Sequence, residues 1–310
     1  MHSRDGTEGL RVLVVGGANT DILGMADART IAGDSSPGHI RVSTGGVGHN
    51  IAINLVRMGA TVNLVTAFGG DERARHLILE CRKAGVDISH SVFVDEAPGS
   101  TYVAVIDRSG NPVAAVSDMS VLEYLTPAAI RVSLEGLEAI DGVVVDANPA
   151  PATLSQVFES CSRVPVFADC VSVAKAQRLV PFLTKIKGLK ASAAEAEALT
   201  GEPDPALAAE LLASRGPDRV WVTAGADGVF WTSGTERGYT QAPTGDVVNA
   251  TGAGDAFMAG VVFATLSEWS VVRTARFAVG AAALTLATGE TVSEDMSVLA
   301  ASTAVKKERE

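Results

Sequence analysis

Apolar residues along the chain fall into short runs and helical repeats in alternation. Arg11-Val-Leu-Val-Val15 is an apolar run closed by Gly16-Gly17, which predicts a buried first strand. Residues 22–43 hold Gly24, Gly33, Pro37 and Gly38 and show no helical period, so short strands and turns are expected. Ile51, Leu55, Val56 and Met58 then share one face of a helix behind Gly45-Gly46-Val47-Gly48. Val62 to Ala67 reads as a strand, Gly69-Gly70-Asp71 as a turn, and Glu72 to Lys83 as a helix with Leu77, Ile78 and Cys81 inward. The runs 101–107 and 112–116 flank Arg108-Ser-Gly-Asn111 as a β-hairpin.

From about Leu122 strands and helices alternate. Strands are expected at 142–146, 164–169, 188–191, 219–223 and 229–232. Helices are expected near 151–161, 173–181, 193–199, 205–215, 253–267 and 271–287. This predicts an α/β fold: a three-layer, Rossmann-like, mostly parallel sheet covered by helices. The hairpin has no helix between its strands and cannot join that series. With parts of 22–43 and 91–94 it is assigned to a small separate β-sheet. The expected division is 10–21, 44–90 and 119–305 for the main domain, 22–43 and 91–118 for the small sheet, and 1–9 and 306–310 as flexible ends.

Composition narrows the function classes. The 310 residues are 47% hydrophobic and 20% charged, as in a globular protein with a large core. A net charge of −11 argues against nucleic acid or an acidic membrane as partner. No apolar run is long enough to span a bilayer, and Met1 to Gly9 lacks the apolar stretch of a secretory signal. Cys81, Cys161 and Cys170 are odd in number and scattered, which fits reduced thiols in the cytoplasm. The five histidines show no metal-ligand spacing, and neither a P-loop nor a G-x-G-x-x-G fingerprint occurs.

The candidate chemistry sits on glycine turns. In Val247-Val-Asn249-Ala-Thr251-Gly-Ala-Gly-Asp255-Ala-Phe257 a turn of small residues and an acid open an apolar helix. The first N–H groups of a helix have no internal partner and form an anion site. Asp255 there is either a cap on those amides or a base beside the anion. Asn19 and Asp21 follow the first strand at its C-terminal end, where parallel sheets bind ligands. They point the same way from an extended chain, as ligand contacts or as an Asx turn. Three glycines between Gly45 and Gly48 permit close approach of a ligand, or tight helix packing.

Thr251-Gly252-Ala253-Gly254-Asp255 resembles the C-terminal signature of the ribokinase-like (PfkB) family of carbohydrate and nucleoside kinases, and the resemblance extends over nearly the whole chain. It implies Asp255 as general base, the amides of Gly252, Ala253 and Gly254 as the anion hole for the transferred phosphoryl, and Thr251 beside the nucleotide. It implies Asn19, Asp21, Gly45, Gly46 and Asn50 as sugar contacts. The small sheet would be the family's lid and its homodimer contact. Thr223, Gly225 and Gly228 match the strand-turn-strand under the nucleotide phosphates. Ser192 and Glu195 match the family's Asn-x-x-Glu segment, which organises Mg²⁺ through water, with Ser in place of Asn. Asn249 stands where many members carry an Asp that helps hold a monovalent cation, and is the candidate position for K⁺. ATP and Mg²⁺ are the implied cofactors.

Within the family the chain resembles the pseudouridine kinases. The stretches are Gly16 to Asn19 with Asp21, Pro37-Gly38, Gly45 to Gly48 with Asn50-Ile51-Ala52 and Asn54-Leu55, Asp118-Met119, Asp169 with Val171-Ser172 and Lys175, and Asn249. The resemblance implies transfer of the ATP γ-phosphoryl to the ribose 5′-hydroxyl of pseudouridine. Another ribose or nucleoside kinase, or a non-catalytic nucleoside sensor, stay open as alternatives. Thr101 is the candidate for touching the base; His49 is either a second one or a capping residue.

Overall fold

The structure is a computed structural model that describes residues 9–27, 34–107, 112–243, 245 and 247–304. The turn 108–111 and most of the two terminal segments singled out above lie outside those residues. In chain order the first half holds β1 (Arg11–Val15), β2 (Asn19–Ala26), β3 (Gly38–Gly45), α1 (Val47–Arg57), β4 (Thr61–Val65), β5 (Ala67–Gly69), α2 (Glu72–Lys83), β6 (Val92–Val94), β7 (Thr101–Ile106) and β8 (Pro112–Asp118). There follow α3 (Pro127–Leu134), β9 (Gly142–Asp146), α4 (Pro151–Ser160), β10 (Val166–Asp169), α5 (Val173–Ala176), β11 (Gly188–Ser192), α6 (Ala193–Thr200) and α7 (Pro205–Ser214). The last third holds β12 (Arg219–Thr223), β13 (Val229–Ser233), β14 (Glu236–Thr240), α8 (Ala253–Leu266), α9 (Val271–Leu286) and α10 (Val298–Ala304).

Eight strands form one sheet in the order β14-β13-β12-β11-β10-β9-β1-β4, parallel from β12 to β4 and antiparallel at β13 and β14. Continuous apolar strands such as Val12 to Val15 and Val143 to Val145 are fully buried because helices cover both faces. Alternate residues feed the two sides. Val12 and Val14 join a core with α1, α8 and α9, whereas Leu13 and Val15 join one with α3, α4, α6 and α7. This is the expected three-layer architecture.

β3, β2, β7 and β8 form a separate four-stranded sheet. Three expectations are corrected. Residues 92–94 pair with β5 in a two-stranded sheet of their own and take no part in the small sheet. The single strand expected over 62–67 is two strands in different sheets, because the chain leaves the main sheet at Thr66, whose carbonyl receives the Val92 N–H. The helix expected over 173–181 is one α-turn followed by 3₁₀ structure over Gln177–Lys185, which contains Pro181. Proline lacks the N–H an α-helix would need there. β14 reads as polar (Glu-Arg-Gly-Tyr-Thr) and was not foreseen, since an edge strand needs no apolar alternation.

α8 is buried along almost its whole length and lies against α9. A β-carbon on Gly260 would come within 2.8 Å of the Ala278 Cα, so glycine is what lets the helices approach. Gly260→Val should therefore destabilise the protein by about 1–3 kcal/mol. Urea melts measure this directly; an unchanged midpoint would mean the helices separate without strain.

Candidate active site

The parallel order reverses about β1, with β4 on one side and β9 on the other, and the crevice beyond the C-terminal ends of such strands is where α/β sheets bind ligands. Asp146 closes β9 at that point and is almost fully buried. Its carboxylate accepts from the N–H groups of Gly17 at 2.7 Å, Gly48 at 3.0 Å and Asn148 at 2.8 Å. One carboxylate thus ties the two glycine turns together. A β-carbon on Gly16 would lie 2.3 Å from an Asp146 oxygen, and one on Gly48 3.0 Å from the Gly16 backbone. Burial nonetheless pushes the Asp146 carboxyl above its ordinary range.

The predicted sugar-contact residues are brought together on this frame. Asn19 and Asp21 open β2, and the Asn19 amide donates to Asp21 at 2.5 Å. Gly45 is the strand partner of Asn19, and a β-carbon on it would strike Asp21 at 2.2 Å. Gly46, at φ +99°, packs against the Gly17 carbonyl and precedes α1. The extra room these glycines leave is occupied by protein, so tight packing explains part of their pattern. Burial raises the Asp21 carboxyl, and the Asn19 bond only partly offsets it. Thr101 opens β7 beside Thr20 and donates its hydroxyl to the Gly99 carbonyl at 3.0 Å.

Asn50 on α1 joins this cluster to the turn before α8. Its amide nitrogen donates to Asp255 at 2.8 Å, and its oxygen faces His49 Nδ1 at 3.0 Å and the Thr291 hydroxyl at 3.5 Å. His49 is buried, and that burial lowers its pKa, so the neutral ring donates to Asn50 and orients it. Gly252 precedes α8 at φ +85°, with the Thr291 carbonyl where a β-carbon would be, and no side chain caps the helix. Asp255 is therefore not an ordinary cap. It lies within the first turn, buried, with its side chain turned to Asn50. Burial and the Asp169 carboxylate push it up to about 7, against the pull of Lys190 and Asn50. A carboxyl poised near neutrality beside helix amides that no side chain caps, with the Ala253 N–H in a long 3.4 Å bond to the Ala250 carbonyl, can accept a proton from an attacking hydroxyl while the amides hold an anion.

The other predicted positions lie along β11 and β12. Ser192 and Glu195 form a capping box at the start of α6: Ser192 N–H donates to Glu195 at 2.7 Å and Glu195 N–H to Ser192 at 3.3 Å. Thr223 is the strand partner of Ser192, and Gly225 and Gly228, at φ +58° and +83°, turn the chain into β13. Thr251 is exposed, and its N–H donates to the Asn249 side-chain oxygen at 3.0 Å. The Asn249 amide donates to the Gly289 carbonyl at 3.2 Å. Among the described residues no three His, Cys, Asp or Glu side chains group as a metal site. Sequence reasoning gave no role to Asp146, Asp169 or Lys190. The available signal was a charged residue closing, or lying within, an otherwise apolar strand at the ligand end of the sheet. An open hollow of about 1000 Å³ beside Lys187, Asp218 and Arg219 lies at the opposite ends of β11 and β12 and holds none of these groups.

Comparison with known proteins shows the family. Residues 10–296 match the family model described as pfkB family carbohydrate kinase. The chain is 37% identical to the "Uncharacterized sugar kinase YeiI" of Escherichia coli, over 91% of this chain and 80% of that protein. It is 31% identical to the pseudouridine kinase of the same organism, over 93% and 94%. Among solved structures, a carbohydrate kinase from Agrobacterium tumefaciens superposes with a TM-score of 0.83 at 32% identity, covering 96% of this chain and 97% of that one. The chain belongs to the PfkB family of carbohydrate kinases. It is accordingly a phosphotransferase with an alcohol acceptor.

Asp255→Asn should lower kcat by about 10²–10⁴, the usual contribution of a general base, with little change in ligand affinity. A carboxyl raised to about 7 in the fold is protonated there but ionised in the unfolded chain from about pH 4, so stability falls as pH rises through that window. The variant should therefore melt higher than the native protein at pH 8, and the native acid limb near pH 7 should vanish. Steady-state kinetics with melting curves at pH 5.5 and 8 measure both; near-native turnover would remove Asp255 from the base role.

Proposed function

We propose that the protein transfers the γ-phosphoryl of ATP to the ribose 5′-hydroxyl of pseudouridine, giving pseudouridine 5′-phosphate. The observation that carries this reading is Asp255, a buried carboxyl poised near neutrality at an uncapped helix start and linked through Asn50 to the glycine turn beside Asn19 and Asp21. In it Asp255 takes the hydroxyl proton, the amides of Gly252, Ala253 and Gly254 receive the phosphoryl oxygens, and Asn19, Asp21 and Asn50 hold the ribose. Mg²⁺, when bound with the ATP, would supply charge neutralisation for the phosphates. Ser192, Thr223, Gly225, Gly228 and Thr251 frame the nucleotide. Glu195, one of whose carboxylate oxygens accepts from the Ser192 N–H, would hold that Mg²⁺ through water with the other.

Thr101 supplies the choice of base. Its hydroxyl proton is committed to the Gly99 carbonyl, so toward a ligand it can only accept. Pseudouridine carries a ring N–H where uridine carries C–H, and a buried acceptor left unpaired by uridine costs about 1–3 kcal/mol. Pseudouridine should be used with a kcat/KM about tenfold or more above uridine, or roughly 1.4 kcal/mol, and Thr101→Val should narrow that ratio. Competition between the two nucleosides at equal concentration tests this. A second reading, a kinase for another sugar or nucleoside, is favoured by the 37% identity to a sugar kinase. Equal use of the two nucleosides, or preference for free ribose, would select it.

The small sheet supports pairing of two copies. Register places Ile22, Val42, Val103 and Val116 in one row, with Ile40 and Val105 beside it on the same face. Five of these six are exposed, a continuous apolar patch of the kind that marks an interface. A homodimer through this sheet should become monomeric when Val42→Asp and Val116→Asp are combined. Light scattering after size exclusion decides; a monomeric native protein would overturn it.

A further inference from the structure

Lys190 lies on β11 directly beside Asp169 on β10, and its Nζ is 3.1 Å from an Asp169 oxygen. The Lys190 side chain is only 9% exposed and the Asp169 side chain 1%. The Asp169 oxygen that faces the ammonium has no hydrogen-bond partner among the described residues, so the ion pair is what compensates it. A β-carbon on Gly254 would sit 2.9 Å from the same Nζ, so the ammonium rests against the first turn of α8, one residue before Asp255. A buried charge of this kind is kept only where partners compensate it. Its surroundings are anionic: Asp169, Glu195 and Asp255 all act on it.

We propose that the buried Lys190–Asp169 pair is a positioning device for the catalytic turn, in which the ammonium holds Asp255 in its proton-accepting form and Asp169 fixes the ammonium against Gly254. Lys190 acts through Asp255 and is not itself the base. The groups that act on Asp255 are Asp169 from β10, Lys190 from β11, Asp146 from β9 and the neutral Asn50 from α1, and Glu195 on α6 acts on Lys190. Of these, Lys190 is the one cation. The two partners push Asp255 in opposite directions, and the Lys190 ammonium touches the turn that carries it.

The inference rests on Asp255 serving as base, and the test separates the two. The pH dependence of kcat/KM is measured with ATP and the preferred nucleoside for the native protein, Asp255→Asn, Lys190→Met and Asp169→Asn, with melting curves for each. The native protein should show an acid limb near pH 7 that Asp255→Asn abolishes. Lys190→Met should move that limb up by about one pH unit or more, cutting turnover at pH 7 about fivefold and restoring much of it at pH 9. Asp169→Asn should move it down by a similar amount. Lys190→Arg should keep the native limb. If the limb depends on Asp255 but stays in place in both folded variants, the pair only holds strands together and the inference fails. If the native protein shows no limb that depends on Asp255, the reading of Asp255 itself fails. Should Lys190→Met not fold, the direction of the Asp169→Asn shift decides alone.

Discussion

The spacing of Asn19, Asp21 and Asn50 depends on one buried carboxylate. Asp146 collects N–H groups from the turn after β1 and from the first turn of α1, which are 31 positions apart in sequence between Gly17 and Gly48. Two backbone turns cannot come this close unless both are glycine, and a β-carbon at Gly16, Gly46 or Gly48 would each meet backbone or carboxylate atoms at 3.0 Å or less. Asn19 and Asp21 follow one turn directly and Asn50 follows the other, so the tie sets their separation. Charge-assisted bonds to backbone N–H groups are among the stronger ones available. Here they hold in place a carboxylate that burial disfavours.

That arrangement concentrates like charge. Asp146, Asp169 and Asp255 are all buried at the same end of the sheet, with Lys190 as the buried ammonium among them. The consequence is read at Asp255, whose carboxyl is raised to about 7 chiefly by burial and then by Asp169. A stable protein would not choose this arrangement, since ionising Asp255 near neutral pH works against folding. A base for a hydroxyl proton needs it. The site thus holds its strain as electrostatics, while α8 and α9, packed through Gly260, supply the rigid support.

The layered architecture was legible because buried parallel strands are uniformly apolar and their bounding glycines are strong punctuation. Val12 to Val15 and Val143 to Val145 could hardly be anything else. What escaped was local. Residues 92–94 are too short for periodicity to say which sheet they join, and β14 is polar because it lies at an edge. At the site, the turn before Asp255 and the pair Asn19 and Asp21 stood out through spacing within a few residues. Asp146, Asp169 and Lys190 did not, because their roles are written in contacts across the sheet. A single carboxylate at the end of an apolar strand has the same local sequence whether it tethers glycines, as Asp146 does, or neutralises a lysine, as Asp169 does.

The two ways of reading a glycine turn also proved to be less opposed than their spacing implied. Gly45, Gly46 and Gly48 leave no void; Asp21, the Gly17 carbonyl and the Gly16 backbone fill the space a side chain would take. The ligand-facing property belongs to the residues these contacts carry. Gly45 admits Asp21 to the cleft, and Gly252 admits the Thr291 carbonyl, whose hydroxyl in turn reaches Asn50. Glycine at these positions buys proximity between protein groups, and the polar constellation follows from that proximity. A substitution at such a glycine would therefore strike Asp21 or the neighbouring backbone first, and Asp21 or Asn50 would be displaced whatever the cleft holds.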